Sequence, residues 1–588
     1  MDKHIINNPS QTVPQSLLGL AQSHPEVQLG KQFRVISLRN VPRDRVALIS
    51  GGGSGHEPAH VGFVGQGLLS ASAAGNVFAS PNVGQVRRAL ELVQNDKGTL
   101  TVIMRYTGDV LLFGLAKEQH AVTHPGYPTD LVIIGDDVAV PRKQGALVGR
   151  RGLAGTILAY KAASAVADEG AALDECRDVA EAVGGMLGTI GAGLNHCHIP
   201  GTATQESHLN ADEVEIGMGI HNEPGILKRK LPPAKELITQ MLAYITDTSD
   251  AERAFLPFKH DGKDRVVLLV NNLGGVSELE LGLIVQQTLA VLEEQKIQVE
   301  RVNAGSFMTS CNLPGFSLTL LLLPRNEDKP KYSAERTLEL LDAPASAPGW
   351  KPFTKVVKEA DAFVKEEGKV EEMKNGGKAV PIPHFDIFQS ALRAACKNVI
   401  AAEPEITQFD TIAGDGDCGL CLKSGAEEIL SVLDRDGLDA SDVINSILAL
   451  ARAMERKMDG TSGALYSIWT NALAAGFTQS ASADGDAWSR ALSHALTTLY
   501  KYTSARRPSR TLIDPLAAFT EHLSEHLGDF DGAAQAAVEA AENTRKIEAK
   551  AGRAAYVGQD TLREANVPDP GAWGVVKILE GIQSVVKQ

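Results

Sequence analysis

No stretch of the 588 residues reaches the roughly 18 consecutive apolar residues that a membrane helix needs, so the chain is not expected to span a bilayer. Cysteine is scarce. The six present, at positions 176, 197, 311, 396, 418 and 421, are too few and too scattered for a disulfide framework, which points to a reducing compartment. Positive charge is in deficit, with 57 Lys and Arg against 72 Asp and Glu. The resulting net charge of −15 opposes binding to DNA or another nucleic acid and to an anionic membrane surface. The opening residues, Met1 to Pro9, lack both the charged-then-apolar layout of a secretory signal and the Arg-rich bias of a mitochondrial one, so a cytoplasmic location is expected. Fixed-period repeats and low-complexity tracts are also missing.

What remains is an ordinary globular composition, 43% hydrophobic and 22% charged, on a chain too long for one core. From Phe33 to about Leu323, short apolar runs alternate with longer helical patterns. The clearest are Val46–Ser50, Leu100–Met104, Leu131–Ile134, Val266–Val270 and Leu318–Leu323. Near-continuous apolar strands imply a sheet covered on both faces, hence an α/β region. The gap between the third and fourth runs divides 1–340 into two α/β subdomains, about 1–190 and 191–340. Pro, Gly and mixed charges mark 341–383 as a linker. From 384 to 588 the period turns helical. Ser441-Asp442 can cap a helix carrying Val443, Ile444, Ile447, Ala451 and Met454 on one face, Gly532 to Lys550 behaves likewise, and the second domain is expected to be all α.

Several loops carry chemistry. Ser50-Gly-Gly-Gly-Ser-Gly-His-Glu-Pro58 follows a strand and fits neither the dinucleotide nor the Walker A pattern, since Pro58 stands at the third Gly position and no Gly-Lys-Ser/Thr follows. Glycines alone make a tight turn; His56 and Glu57 at the carboxyl end of a strand favour a ligand. Tyr106-Thr-Gly-Asp109 also follows a strand and by itself reads as a turn with a helix cap. His221 sits within Gly217-Met-Gly-Ile-His-Asn-Glu-Pro-Gly225, where a lone His is ordinarily a surface residue. His196, Cys197, His198 and His208 match no zinc spacing.

Asp410-Thr-Ile-Ala-Gly-Asp-Gly-Asp417 is denser in charge. Three carboxylates within eight positions repel one another unless a hard cation gathers them. An EF-hand is excluded, because the twelfth position from Asp415 is Ala426, and Mg²⁺ sharing its sphere with phosphates suits the set. Cys418-x-x-Cys421 lacks a second pair and is taken as a coincidence of spacing. Asp459-Gly-Thr-Ser-Gly463 reads either as a turn between helices or, beside the metal loop, as a phosphate cradle.

Assembled in order, these motifs resemble the ATP-dependent dihydroxyacetone kinases (glycerone kinases, triokinases) over essentially the whole chain. Gly149-Arg-Arg151, Asn271-Asn-Leu-Gly-Gly275, Gly552-Arg553 and Asp569-Pro-Gly571 belong to the same resemblance. It implies a triose-binding N-terminal domain and a C-terminal barrel of helices that holds ATP, paired as a homodimer in which the triose domain of one chain faces the ATP domain of the other. Carried over, His221 forms a covalent hemiaminal with the substrate carbonyl, which admits aldehydes and ketones and excludes glycerol. Gly53, Ser54, Gly55 and His56 line the triose pocket. Asp109 takes the proton of the attacking hydroxyl, assisted by His56. Asp410, Asp415 and Asp417 ligate two Mg²⁺ ions on the ATP phosphates. Asp417, Cys418, Gly419, Thr461, Ser462, Gly463, Thr511, Leu512, Asp569, Pro570 and Gly571 match positions around the nucleotide.

The pattern is broken in places. The usual Lys-Asn before Tyr-Thr-Gly-Asp is Met104-Arg105, which removes a cation beside the substrate; Leu112, Asp459 and Pro508 also depart. Arg105 cannot replace its neighbour, because consecutive strand residues face opposite ways. Two other readings therefore accompany an active kinase: a non-catalytic triose and nucleotide sensor, and an FAD-AMP lyase side activity. The retained Asp triad, His221 and Asp109 favour the kinase.

Overall fold

The computed structural model describes residues 3–203, 207–363, 373–435 and 437–586. The chain divides into two compact units, Met1–Val364 and Lys365–Gln588.

The first unit holds two six-stranded sheets. One contains β1 (Val27–Gly30), β2 (Val35–Leu38), β3 (Ala47–Ser54), β4 (Ala71–Val77), β5 (Thr99–Met104) and β6 (Thr129–Ile134), in the order β1-β2-β4-β3-β5-β6. Strands β4, β3, β5 and β6 run parallel, with β1 and β2 antiparallel at the edge. The other contains β7 (Leu187–Gly193), β8 (Glu213–Ile216), β9 (Leu227–Lys230), β10 (Arg265–Asn272), β11 (Gln298–Gly305) and β12 (Gly315–Leu322), in the order β11-β10-β12-β7-β8-β9. Only β10 and β11 are parallel there; the remaining pairs are antiparallel. All five apolar runs coincide with strands, namely β3, β5, β6, β10 and β12, with Val46 and Leu323 just outside β3 and β12.

Strand β3 runs further than the sequence suggests, because Gly51 to Ser54 continue it rather than opening the loop. A side chain on Gly51 would strike the Ala73 carbonyl of β4, and one on Gly53 would stand 2.8 Å from Ala79 N. These glycines let neighbouring backbones approach. The helix Thr156–Asp168 packs on β3 and β5 and is buried over its whole length to Ala167. It carries Lys161 into the core, where Nζ donates one hydrogen bond, 3.0 Å, to the Leu340 carbonyl.

The segment 341–383 begins inside the helix Ala334–Asp342, and its residues 364–372 lie outside the described residues. Its flanks are not idle spacer. Ala347 joins the core of the first unit, while Val380 and Ile382 pack with Val443, Ile444 and Ile447 in the second.

Every helix of eight residues or more in the second unit packs against its neighbours in a ring. The order is Phe385–Ala413, Cys418–Arg435, Val443–Lys457, Gly460–Gly476, Gly485–Leu499, Ile513–Glu525, Phe530–Asn543 and Pro570–Val586, and the last closes against the first. Asp442 caps its helix by accepting from Ile444 N at 3.1 Å. The Ala-rich helix stops at Asn543, short of Lys550, where the buried Arg510 donates Nε–H to the Thr544 carbonyl at 2.9 Å. That capture of a terminal carbonyl turns the chain out of the helix.

Candidate active site

In the first unit, β3 and β5 are adjacent parallel strands, so the loops leaving their carboxyl ends emerge side by side. His56 follows β3, and Asp109 lies in the first turn of the helix Thr107–Thr123 that follows β5. His221 arrives from the other sheet, on the loop between β8 and β9. His56 Nε2 and His221 Nε2 are 3.0 Å apart, and the two rings meet edge to face. Phe78 stacks on His56, and Tyr106 meets His221 edge-on with 4.8 Å between centroids.

Burial sets the protonation here. It lowers His56, aided by nearby His221, to a pKa of about 3, so His56 is neutral at physiological pH. Burial raises Asp109 to about 6 against the opposing effects of Ser80 and His221. Glu223 is driven the other way: burial raises it, but hydrogen bonds and charge from His221, with Arg151 behind, bring it down to about 2. Buried polar atoms crowd this region without a hydrogen-bond partner among the described residues, including Asp109 Oδ1, Tyr106 OH and both ring nitrogens of His60. Such atoms mark a place prepared for a polar ligand or water.

Gly53 stands against Phe78 and Ala79, Ser54 Oγ donates to the Gly75 carbonyl, and Gly55 occupies a left-handed conformation at φ 98° with its N–H on Glu57. Met104 is buried with Met218 and Ile220, and Arg105 turns to the other side beside Gly135 and Gly149. Pattern reading missed Glu223, although it lies inside the quoted loop, and Thr309, whose carbonyl holds His56 Nδ1 at 2.8 Å and which carries no local sequence signal.

His196 and His208 do stack, 4.1 Å between centroids, and with Glu215 they place ligand atoms within 4.8 Å of one another. The Lys228 ammonium bonds His208 and faces Glu215, so this cluster already holds its cation. Cys197 turns instead to Ser310.

The second unit opens a cleft of about 460 Å³. Asp410 lies in the last turn of the helix Phe385–Ala413, Asp415 and Asp417 follow it, and their carboxylate oxygens gather within 4.8 Å of one another. Asp410 Oδ2 accepts from Asp417 N and Cys418 N at 2.8 and 2.9 Å, which folds the turn back on itself. Burial and the facing charges of Asp415 and Asp410 raise the pKa of Asp417. An all-oxygen set under mutual repulsion fits a hard divalent cation. Thr461 and Ser462 sit in the first turn of Gly460–Gly476 and line the cleft with Cys418, Thr511, Leu512, Asp569, Pro570 and Gly571. Burial pushes Asp569 up to about 7.

Gly419 and Gly463 do not line the cleft. A side chain on Gly419 would strike Thr407, and one on Gly463 the Met458 carbonyl, so both serve helix packing. Asp459, Tyr502, Thr503, Arg553 and Tyr556 are also among the wall residues. Cys418 and Cys421 are one helical turn apart and both free.

Comparison with known proteins bears on both units. The Dak1 domain family matches residues 18–349 and the DAK2 domain family residues 412–584. The chain is 40% identical to a dihydroxyacetone kinase of Pichia angusta, covering 98% of this chain and 97% of the relative. It is 36% identical to a Bos taurus triokinase/FMN cyclase, covering 100% and 99%. The crystal structure of the dihydroxyacetone kinase from C. freundii in complex with AMP-PNP and Mg²⁺ superposes with a TM-score of 0.62 at 27% identity, covering 99% of this chain and 100% of that one. An α/β unit followed by a ring of helices, matched in both parts and over the full length, shows that the chain belongs to the dihydroxyacetone kinase family in its two-domain form.

Proposed function

We propose that this chain transfers the γ-phosphoryl group of ATP to dihydroxyacetone, and to glyceraldehyde as well, with the triose held by a domain of residues 1–340 within the first unit and ATP by a domain of residues 384–588 within the second. The observation that carries this reading is the approach of His221 to His56 beside Asp109, whose pKa burial raises to about 6. In it, His221 Nε2 bonds the substrate carbonyl carbon as a hemiaminal. Asp109, its pKa near working pH, accepts the proton of the terminal hydroxyl, and neutral His56 assists.

Asp410, Asp415 and Asp417 would hold Mg²⁺, which neutralises phosphate oxygens when bound. An ion that keeps its waters takes one or two carboxylates, so three support two ions. Thr461 and Ser462 donate to phosphate from a helix start. A homodimer and a cytoplasmic location belong to the same proposal. Free cysteines agree with the latter, and no helix among the described residues is long and apolar enough to cross a membrane.

A coupled assay with ATP, Mg²⁺ and dihydroxyacetone tests the proposal, with glycerol as control. ADP release should depend on the triose and be far slower with glycerol. Hydrolysis indifferent to the triose would overturn it in favour of a sensor.

A further inference from the structure

The partners of His221 and His56 dictate where their protons sit. The Thr309 carbonyl can only accept, so His56 Nδ1 carries a proton and, the ring being neutral, His56 Nε2 offers a lone pair. That lone pair faces His221 Nε2 at 3.0 Å, which must therefore donate. On the far side of the ring, His221 Nδ1 lies 3.1 Å from Glu223 Oε1, a carboxylate that also accepts only. A single unbroken chain results, from Glu223 through His221 and His56 to Thr309, and it satisfies every member when the His221 ring is protonated on both nitrogens.

Glu223 is built for this. Its Oε2 accepts from the His221 backbone N–H at 2.8 Å while Oε1 takes the ring, so one carboxylate fixes both main chain and side chain. Arg151 Nη1 and Glu223 Oε2 both crowd the space that a Cβ on Gly219 would take. Arg151 is itself held by Asp137 Oδ2 at 2.7 Å and by the Gly217 carbonyl at 2.9 Å.

We infer that Glu223 is the positioning residue and counter-ion of His221, keeping Nδ1 protonated while Nε2 bonds to the substrate. This rests on the hemiaminal reading and deepens it. The His221 Nε2–H proton passes to the His56 Nε2 lone pair. The freed His221 Nε2 pair attacks the carbonyl carbon, and the carbonyl π pair moves to oxygen. His56 then gives its Nε2 proton to that oxygen, making the hemiaminal hydroxyl. The ring begins as a cation, is neutral while its proton rests on His56, and ends as a cation again, now N-alkylated, with Glu223 facing it in each state. Without that carboxylate the product would be an uncompensated cation in a largely buried pocket.

The test is NMR of the full chain with dihydroxyacetone labelled with ¹³C at the carbonyl carbon. In the wild type that carbon should move from the ketone to the tetrahedral range. Glu223→Gln keeps the shape and an acceptor for the backbone N–H but removes the charge, and the bound tetrahedral population should fall by about ten- to hundredfold, the worth of a charge-assisted hydrogen bond. Affinity for Mg·ATP should not change. A second reading needs no variant: ¹⁵N-labelled His221 should keep Nδ1 protonated in free and triose-bound wild type. An undiminished tetrahedral signal in Glu223→Gln, or a bare Nδ1 in the adduct, would overturn the role of Glu223 alone. A wild type that binds triose with no tetrahedral carbon overturns the hemiaminal, and this inference with it.

Discussion

Arg553 Nη1 lies 2.6 Å from Asp415 Oδ2, yet their side chains are 61% and 38% exposed. An exposed pair of this kind is worth about 0–1 kcal/mol, too little to offset three carboxylates gathered within 4.8 Å. The turn 410–417 is thus left with an excess of negative charge that a divalent cation can meet.

Asp415→Ala should therefore weaken Mg·ATP by more than about tenfold, since a lost charge-assisted contact is worth about 1.5–3 kcal/mol. Calorimetry with Mg·ATP checks this. Triose binding, measured separately, should be unchanged, and nucleotide affinity equal to wild type would remove Asp415 from the metal site.

The pH profile should carry one acid limb. Asp109 must be ionised to accept a proton, and its pKa is raised to about 6, so kcat/KM for dihydroxyacetone at saturating ATP should fall below about pH 6 and level off above it. His56, at about 3, contributes nothing in that window. Asp569, near 7, titrates in the nucleotide cleft, which saturating ATP keeps out of the measurement. Asp109→Asn should abolish the limb together with most of the activity. A profile flat from pH 5 to 8 in the wild type would exclude Asp109 as the base.

His221→Ala should remove discrimination between dihydroxyacetone and glycerol while sparing Mg·ATP affinity. The ratio of kcat/KM for the two substrates reads this directly. A ratio unchanged from wild type would show that selectivity resides elsewhere in the pocket.

Lys161 offers a test of the core. Burial lowers its pKa from 10.5 to about 8, so between those values the folded chain has released a proton that the unfolded chain retains. The unfolded state then binds more protons, and stability rises with pH across that window. Compared with Lys161→Met, the wild type should gain up to about 3 kcal/mol between pH 8 and 10.5. Denaturant midpoints at the two pH values measure the gain, and a constant difference would mean that Lys161 reaches solvent when charged.

Gly463→Ala should destabilise the second unit. Its new methyl would meet the Met458 carbonyl, which belongs to the chain entering the helix Gly460–Gly476. The helix start must shift, and with it Thr461 and Ser462, so KM for ATP should rise along with a lower melting temperature. A variant as stable as wild type would show that this turn has slack.

Strands announced themselves where bulk was high. Leu100–Met104 and Val266–Val270 were legible because branched and long apolar side chains fill both faces of β5 and β10. Strands β4 and β7, Ala-Ser-Ala-Ala-Gly-Asn-Val and Leu-Gly-Thr-Ile-Gly-Ala-Gly, were not, because they are buried by closeness of backbones rather than by large side chains. The edge strand β11 hides for another reason, carrying Glu300 and Arg301 in ion pairs with Arg265 and Asp342. Individual site residues stood out through their glycine-rich surroundings, as His56, His221 and Asp415 did. What pattern could not give was their pairing, since the chain of contacts from Thr309 to Glu223 joins three loops far apart in sequence.

The ring of helices has a kinetic corollary. Asp410 lies on its first member and Pro570 and Gly571 begin its last, and those two helices lock where Gly581 backs onto Ala395 and Asn398 donates to the Lys577 carbonyl. Closure by a contact 179 residues apart in sequence is a high contact-order event, paid in loop entropy before any contact returns it. The nucleotide cleft takes walls from both of these helices, so ATP affinity during refolding is expected to appear no earlier than the docking of Pro570–Val586, and truncating that helix is expected to weaken the cleft even though most of its wall residues remain.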